Sequence, residues 1–359
     1  MEDRAEQYYN EGVEFVKHGR YIEAITSYDK AIAVDPNNAN SWYSRGVVLE
    51  LLGRHSEAFD SCDKTITISP TFAPAWYNRG LALYNLGQYT EAIASFDKAI
   101  AFNPDFAEAW YTRGAALNQL GRFSEVVVSF DRAVAIKPDY VEAWFTRGTT
   151  LVNLGRYTEA VESYDKGLAI NPNDAMAWNN RGLALIRLSR YPEALSSCDK
   201  AVAINPDFAG AWFNRGNALY SLGRYREAIA SYDAVITLKP DSENVWVLRG
   251  SALGELGRYS EAVASYDKAL AIKPDYAEVW HTRGVALNEL RRFSEAVESC
   301  DKALAIKPDH ALAWSNRGIA LLNLSRYSDA MTSFDHAIAI APNYSEARKY
   351  REIALKKLS

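Results

Sequence analysis

An all-α fold, and within it an α-solenoid of antiparallel helix hairpins, is what this chain of 359 residues predicts, on three observations. Its nine tryptophans, Trp42, Trp76, Trp110, Trp144, Trp178, Trp212, Trp246, Trp280 and Trp314, each follow the last by 34 residues. Each such unit carries two amphipathic stripes separated by a short break. A glycine recurs at the eighth position of all ten units, from Gly12 and Gly46 to Gly318. A strict period of this size means that each unit buries its core against its neighbours, so one elongated domain is expected in place of the roughly two or three globular domains that length alone would suggest.

Aligned on the tryptophan, the units begin at Ala5, Ala39, Ala73, Ala107, Val141, Ala175, Ala209, Glu243, Ala277 and Ala311, which places ten repeats at 5–344 and a further segment at 345–359. In the unit from Ala107 to Tyr140, Trp110, Gly114, Leu117 and Leu120 form one helical stripe, helix A. Gly121-Arg122-Phe123 breaks it. Val126, Val127, Phe130, Ala133 and Val134 form a second stripe, helix B, which Pro138 stops because proline cannot continue a helix. A glycine inside helix A costs roughly 0.5–1 kcal/mol relative to alanine. Its recurrence therefore predicts that a second helix backbone passes close by, with Ala24, Ala58 and Ala92 as the small facing surface. The segment 345–359 repeats helix A with Arg348 at the tryptophan site and Glu352 at the glycine site, and is expected to be a solvating C-terminal capping helix. Only Met1 to Arg4 precede the first repeat, which marks that edge as a candidate self-association surface.

Composition narrows the function. A net charge of −5, with Lys and Arg spread along every repeat, argues against nucleic acid. No apolar run approaches the roughly 20 residues of a membrane-spanning helix, and no basic-then-apolar leader opens the chain, so a cytoplasmic location without membrane contact is expected. Cys62, Cys198 and Cys300 share the repeat position where other copies have Tyr28, Phe96 or Phe130, and should act as small apolar core residues rather than as a disulfide or metal site. The five histidines occupy five different repeat positions, and the recurrent Ser27, Ser129 or Ser265 has no histidine partner. No enzyme, metal or cofactor is expected.

The spacing W-x3-G, a small-Leu pair, Gly-Arg/Gln-aromatic, Glu-Ala, aromatic, Ala and Pro resembles the tetratricopeptide repeat, in ten copies from Ala5 to Tyr344. The departures are Tyr8 in place of Trp, Ser189, Arg291 and Ser325 in place of the turn glycine, and Val126 in place of Ala. The resemblance implies a right-handed superhelix with helices A lining a concave groove, and a protein–protein interaction scaffold.

Two ladders stand out. Arg45 and its equivalents precede the mid-helix glycine, ending with Arg351, while helix B carries Ser-x-Asp with Asp29 and its equivalents up to Asp335. Glu11 takes the Arg position in the first repeat. The offset predicts that each Arg pairs with the Asp of the repeat before it, as a partly buried device between repeats. The second ladder lies on the helix A face opposite the tryptophans, at positions two, five, six, nine, twelve and thirteen. Position five offers Tyr9, Tyr43, Tyr77, Tyr111, Phe145 and Phe213; position six offers Asn10, Asn78, Thr112, Asn180, Asn214 and Asn316. This resembles the asparagine ladder in the repeats of the O-linked N-acetylglucosamine transferases, which implies amides that hold an extended peptide by its main chain. An amide offers both a donor and an acceptor, and tyrosine adds apolar contact at little entropic cost.

The cations of the family's dicarboxylate clamp are missing, since Tyr9 and Val13 occupy those sites in the first repeat. The charges expected on this face are mainly acidic, with Glu6, Glu50, Glu108, Glu142, Glu255, Glu278 and Glu289 against Lys17 and Arg187. The partner expected is a neutral or basic extended segment of a protein or peptide. The alternatives are a self-associating assembly protein and a regulatory subunit of a separately encoded enzyme.

Overall fold

A computed structural model describes residues 2–358, which form helices joined by short turns. The chain divides into two compact units, Met1–Pro172 and Asn173–Ser359. The first contains α1 (Glu2–Lys17), α2 (Tyr21–Val34), α3 (Ala39–Leu51), α4 (His55–Ile68), α5 (Ala73–Asn85), α6 (Tyr89–Phe102), α7 (Ala107–Gln119), α8 (Phe123–Ile136), α9 (Val141–Asn153) and α10 (Tyr157–Ile170). The second contains α11 (Ala175–Arg187), α12 (Tyr191–Ile204), α13 (Ala209–Ser221), α14 (Tyr225–Leu238), α15 (Glu243–Glu255), α16 (Tyr259–Ile272), α17 (Ala277–Glu289), α18 (Phe293–Ile306), α19 (Ala311–Asn323), α20 (Tyr327–Ile340) and α21 (Ser345–Leu358). Within each unit every odd helix pairs with the even helix after it, and that helix packs on the next odd one. Adjacent odd helices also touch, as α3 does α5 and α11 does α13. The architecture is an all-helical solenoid of repeated hairpins. Helix α1 starts three residues before the expected Ala5.

The turn after each odd helix is set by one backbone conformation. Gly53 has φ +72°, its N–H donates to Glu50 O, and the Arg54 N–H reaches back to Leu49 O at 2.9 Å, closing the helix end in a Schellman arrangement. Where the glycine is lost, Ser189, Arg291 and Ser325 adopt the same left-handed conformation at φ 56–60°. That geometry costs an L-residue roughly 1–2 kcal/mol. Most even helices then start at an Arg that holds the acid three residues on, as Arg122 Nε holds Glu125 at 2.7 Å on the exposed surface, while α6 starts at Gln88.

The mid-helix glycine makes room first for a side chain of the partner helix. A β-carbon on Gly80 would lie 2.5 Å from Cε1 of Phe96, and Gly12 and Gly216 meet Tyr28 and Tyr232 in the same way. The nearest approach is to an aromatic side chain of the partner helix. In the cysteine repeats Sγ of Cys62, Cys198 or Cys300 replaces the ring, and the carbonyls of Ala58, Ala194 and Ala296 lie 3.4 Å from the added carbon, the close helix backbone that the glycine predicts. Ala24, Ala58 and Ala92 are fully buried beside this contact. All three thiols are free and buried, and burial pushes each up to about 12.

Candidate functional site

Three recurrent contacts hold the repeats to one another, and they decide which surface remains for a ligand. The first is the tryptophan, whose Nε1–H donates to the carbonyl of the proline six residues earlier, as Trp110 does to Pro104 at 3.0 Å and Trp314 to Pro308 at 2.9 Å. In α21 Arg348 replaces the tryptophan and its guanidinium donates to the same carbonyl, that of Pro342. The second is the arginine. Arg113 Nε lies 2.6 Å from Asp97 Oδ1 on the preceding repeat, while its Nη1 donates at 2.8 Å to Ser129 Oγ on its own helix B. The serine hydroxyl in turn donates to the Glu125 carbonyl. The guanidinium also sits over the Trp110 ring at 5.8 Å. The same clip holds Arg45 to Asp29, Arg79 to Asp63 and Arg147 to Asp131 in the first unit. In the second it holds Arg215 to Asp199, Arg249 to Asp233, Arg283 to Asp267, Arg317 to Asp301 and Arg351 to Asp335.

The clip is asymmetric. Arg113 is 16% exposed and Asp97 is 51% exposed, so the carboxylate keeps much of its water. Losing Asp97 should therefore cost less than the roughly 3–5 kcal/mol of a fully buried pair, closer to the 1 kcal/mol of a surface one. The sequence reading did not assign the serine hydroxyl. Its signal was present as a serine sixteen residues after every arginine of the ladder from Arg45 to Arg317.

The third contact involves the face that the sequence marks for a ligand. Tyr9, Tyr43, Tyr77, Tyr111, Phe145 and Phe213 are half-buried, not splayed into solvent. Tyr77 packs on Phe96 and on Phe106 with centroids 5.9 and 4.8 Å apart, and Tyr111 packs on Phe130 and Tyr140 at 5.6 and 5.1 Å. Burial pushes the Tyr77 phenol up to about 12. Phe145 presses on Gly167 and Phe213 lines a cavity beside Gly210 and Val235.

The position-six amides are also engaged, which revises the expectation that they await a peptide main chain. Asn78 Nδ2 donates to the Tyr43 hydroxyl at 3.1 Å, Asn214 Nδ2 to Asn179 Oδ1 at 2.9 Å, and Asn316 Nδ2 meets His281 Nε2 at 2.8 Å. Each reaches position five of the preceding repeat, and each of those preceding repeats is a cysteine repeat. The contact is not confined to them, since the Thr146 hydroxyl lies 3.5 Å from that of Tyr111, whose repeat carries Phe130. Thr112 also donates to the Glu108 carbonyl of its own helix. Asn10 is exposed and Asn180 half-buried, the latter accepting from Asn179 Nδ2 at 3.1 Å. Position two, by contrast, takes no part in these contacts: Glu6, Asn40, Glu142, Met176 and Asn244 are exposed there.

With these contacts defined, the comparisons with known proteins are specific. Sequence models of the tetratricopeptide repeat match residues 73–106, 95–126, 145–207, 209–242 and 282–345, and models described as TPR repeat match 12–53 and 250–290. The chain belongs to the tetratricopeptide repeat family. As such a repeat protein it is a protein–protein interaction scaffold. No curated protein matches this tetratricopeptide repeat chain. Among solved structures it is similar to YrrB, a TPR protein with an unusual peptide-binding site, at 22% identity over 54% of this chain and 99% of that one, with a TM-score of 0.49. A tetratricopeptide repeat protein from Parabacteroides merdae matches at 18% identity, 69% and 98% coverage and a TM-score of 0.49. MamA matches at 27% identity, 45% and 94% coverage and a TM-score of 0.44. Among the described residues no helix is long and apolar enough to cross a membrane, and no group of three or more His, Cys, Asp or Glu is placed to hold a metal ion.

Proposed function

We propose that this repeat protein is a non-enzymatic cytoplasmic adaptor that holds an extended, neutral to basic segment of a partner protein along the helix A face opposite the tryptophans. One observation carries the reading. The tryptophan, arginine, serine and aspartate positions are spent on the repeat contacts, whereas position two of the same helices stays largely exposed and changes residue class from copy to copy. The half-buried rings of Tyr9, Tyr43, Tyr77, Tyr111, Phe145 and Phe213 would offer apolar edges between these positions. Asn10, Asn180 and the remaining acceptors of Asn78 and Asn316 would add polar contacts, but the main chain of the ligand is not held by a continuous row of free amides. The exposed acids Glu6, Glu142 and Glu255 favour a basic ligand, whereas Glu278 pairs with Lys307.

The test is a displayed library of unstructured peptides selected on the full chain, with a photo-crosslinking residue then placed in the enriched sequences. Crosslinks to positions two, nine and thirteen of the odd helices support the reading. Crosslinks to the even helices, or the absence of any enriched peptide, overturn it. Light scattering across concentration reads the alternative: a mass that grows with concentration would identify a self-associating assembly protein.

A further inference from the structure

In three repeats position twelve meets position seventeen across the helix A to helix B turn, and in the eighth repeat a glycine removes the side chain that would make this contact. Tyr84 packs edge-on against Tyr89 with centroids 5.3 Å apart, and Tyr220 against Tyr225 at 5.2 Å. In the second repeat Glu50 meets His55 Nδ1 at 2.9 Å. In the eighth repeat position twelve is Gly254. A β-carbon there would find no heavy atom within 4 Å, and Tyr259 makes no ring contact among the described residues. The missing side chain leaves a cavity of about 260 Å³ walled by Tyr220, Tyr259 and Tyr266, with Glu255, Ser251 and Thr282 around it. Glu255 is exposed, has no ion-pair partner among the described residues, and adds to the rise that burial gives the Tyr220 phenol. No Lys or Arg lines the space.

We propose that this cavity receives a lysine or arginine side chain from the extended segment held on the helix A face. The assignment rests on that peptide-holding reading and names its most specific contact. The chemistry selects a cation over the other occupants. Aromatic faces attract a positive charge, and a carboxylate at the same wall completes the attraction. An apolar side chain would fill the space but strip water from Glu255 without compensation, and an anion would be repelled.

The experiment measures fluorescence anisotropy of a labelled unstructured peptide with lysine at every third residue among Ser and Ala, against its norleucine counterpart, on the full chain. Gly254→Tyr restores the residue found at this position in the third and seventh repeats and fills the cavity, while Gly254→Ala leaves it open and Glu255→Gln removes the charge. The lysine peptide should bind more tightly than the norleucine peptide. Gly254→Tyr and Glu255→Gln should each weaken it by about fivefold or more, with Gly254→Ala within about twofold of the parent. Glu298→Gln, an exposed acid on the even helix α18 and off the helix A face, is the control, and circular dichroism melting confirms that each variant folds. If the lysine peptide binds but neither Gly254→Tyr nor Glu255→Gln weakens it, or Glu298→Gln weakens it equally, or norleucine serves as well, the cavity assignment fails while the peptide-holding face stands. If neither peptide binds, both fail.

Discussion

Replacing Asn214 by alanine separates the two roles open to the position-six amides. Asn214 is 7% exposed and its Nδ2 donates at 2.9 Å to Oδ1 of Asn179, itself 8% exposed. The substitution removes the donor and leaves the Asn179 oxygen buried without it. A net hydrogen bond is worth about 1 kcal/mol and an orphaned buried acceptor about 1–3 kcal/mol. These overlap, so a loss of about 2 kcal/mol is expected. Asn10→Ala, at the same repeat position but exposed, should change stability by less than about 0.5 kcal/mol. The double variant Asn179→Ala with Asn214→Ala should lose less than the sum of the singles, because the second change removes the group that the first orphaned. A solenoid does not guarantee a single two-state transition, so urea denaturation needs native-state hydrogen exchange of α11 and α13 beside it. Unchanged protection in both helices for Asn214→Ala, together with a drop in affinity for a peptide selected on the chain, would refute the inter-repeat bond and return the amide to the ligand.

Three further outcomes are expected. Arg113→Ala, which loses the bonds to both Asp97 and Ser129, should destabilise by about 1–3 kcal/mol, whereas Asp97→Ala should cost about 1 kcal/mol or less; equal losses in urea titrations would contradict the asymmetry of the clip. Burial, with a smaller contribution from the charge of His310, holds His281 at about 4, below its ordinary 6.5, while Glu278 opposes the shift. The folded state thus binds fewer protons than the unfolded chain between these values. Stability should be complete above pH 6.5 and fall as pH drops toward 4, by on the order of 2 kcal/mol. His281→Asn, the pairing already used by Asn179, should flatten that slope, and a slope unchanged in thermal melts across this range would assign it to another group. Ser325→Gly should raise stability by roughly 1 kcal/mol, because Ser325 sits at φ 60°; a loss on substitution would show that the serine side chain compensates its strained backbone.

Much of this fold is one-dimensional, which is why so much of it was legible. A 34-residue period sets where the odd helices start, and the helices from Ala39 through Ala311 to Ser345 begin on it. The Arg-to-Asp offset was legible for a similar reason: Glu11 interrupts the arginines in the first repeat, which leaves the pairing with the preceding repeat as the consistent one. The glycine contact was legible only in part. Periodicity says that something comes close to Gly80 but not whether it is a backbone or the edge of Phe96, since both lie in the same direction from helix A. The contact face was harder still, because a position changes between repeats for two reasons that look alike in sequence. Asn78, Asn214 and Asn316 each stand sixteen residues after a cysteine, Cys62, Cys198 and Cys300, and that coincidence was the available signal that these asparagines are tied to the preceding repeat. Gly254 shows the opposite case. Its change leaves the neighbouring ring of Tyr259 without the partner that Tyr89 and Tyr225 have, and a variation that the repeats do not compensate internally is the kind that a ligand is free to fill.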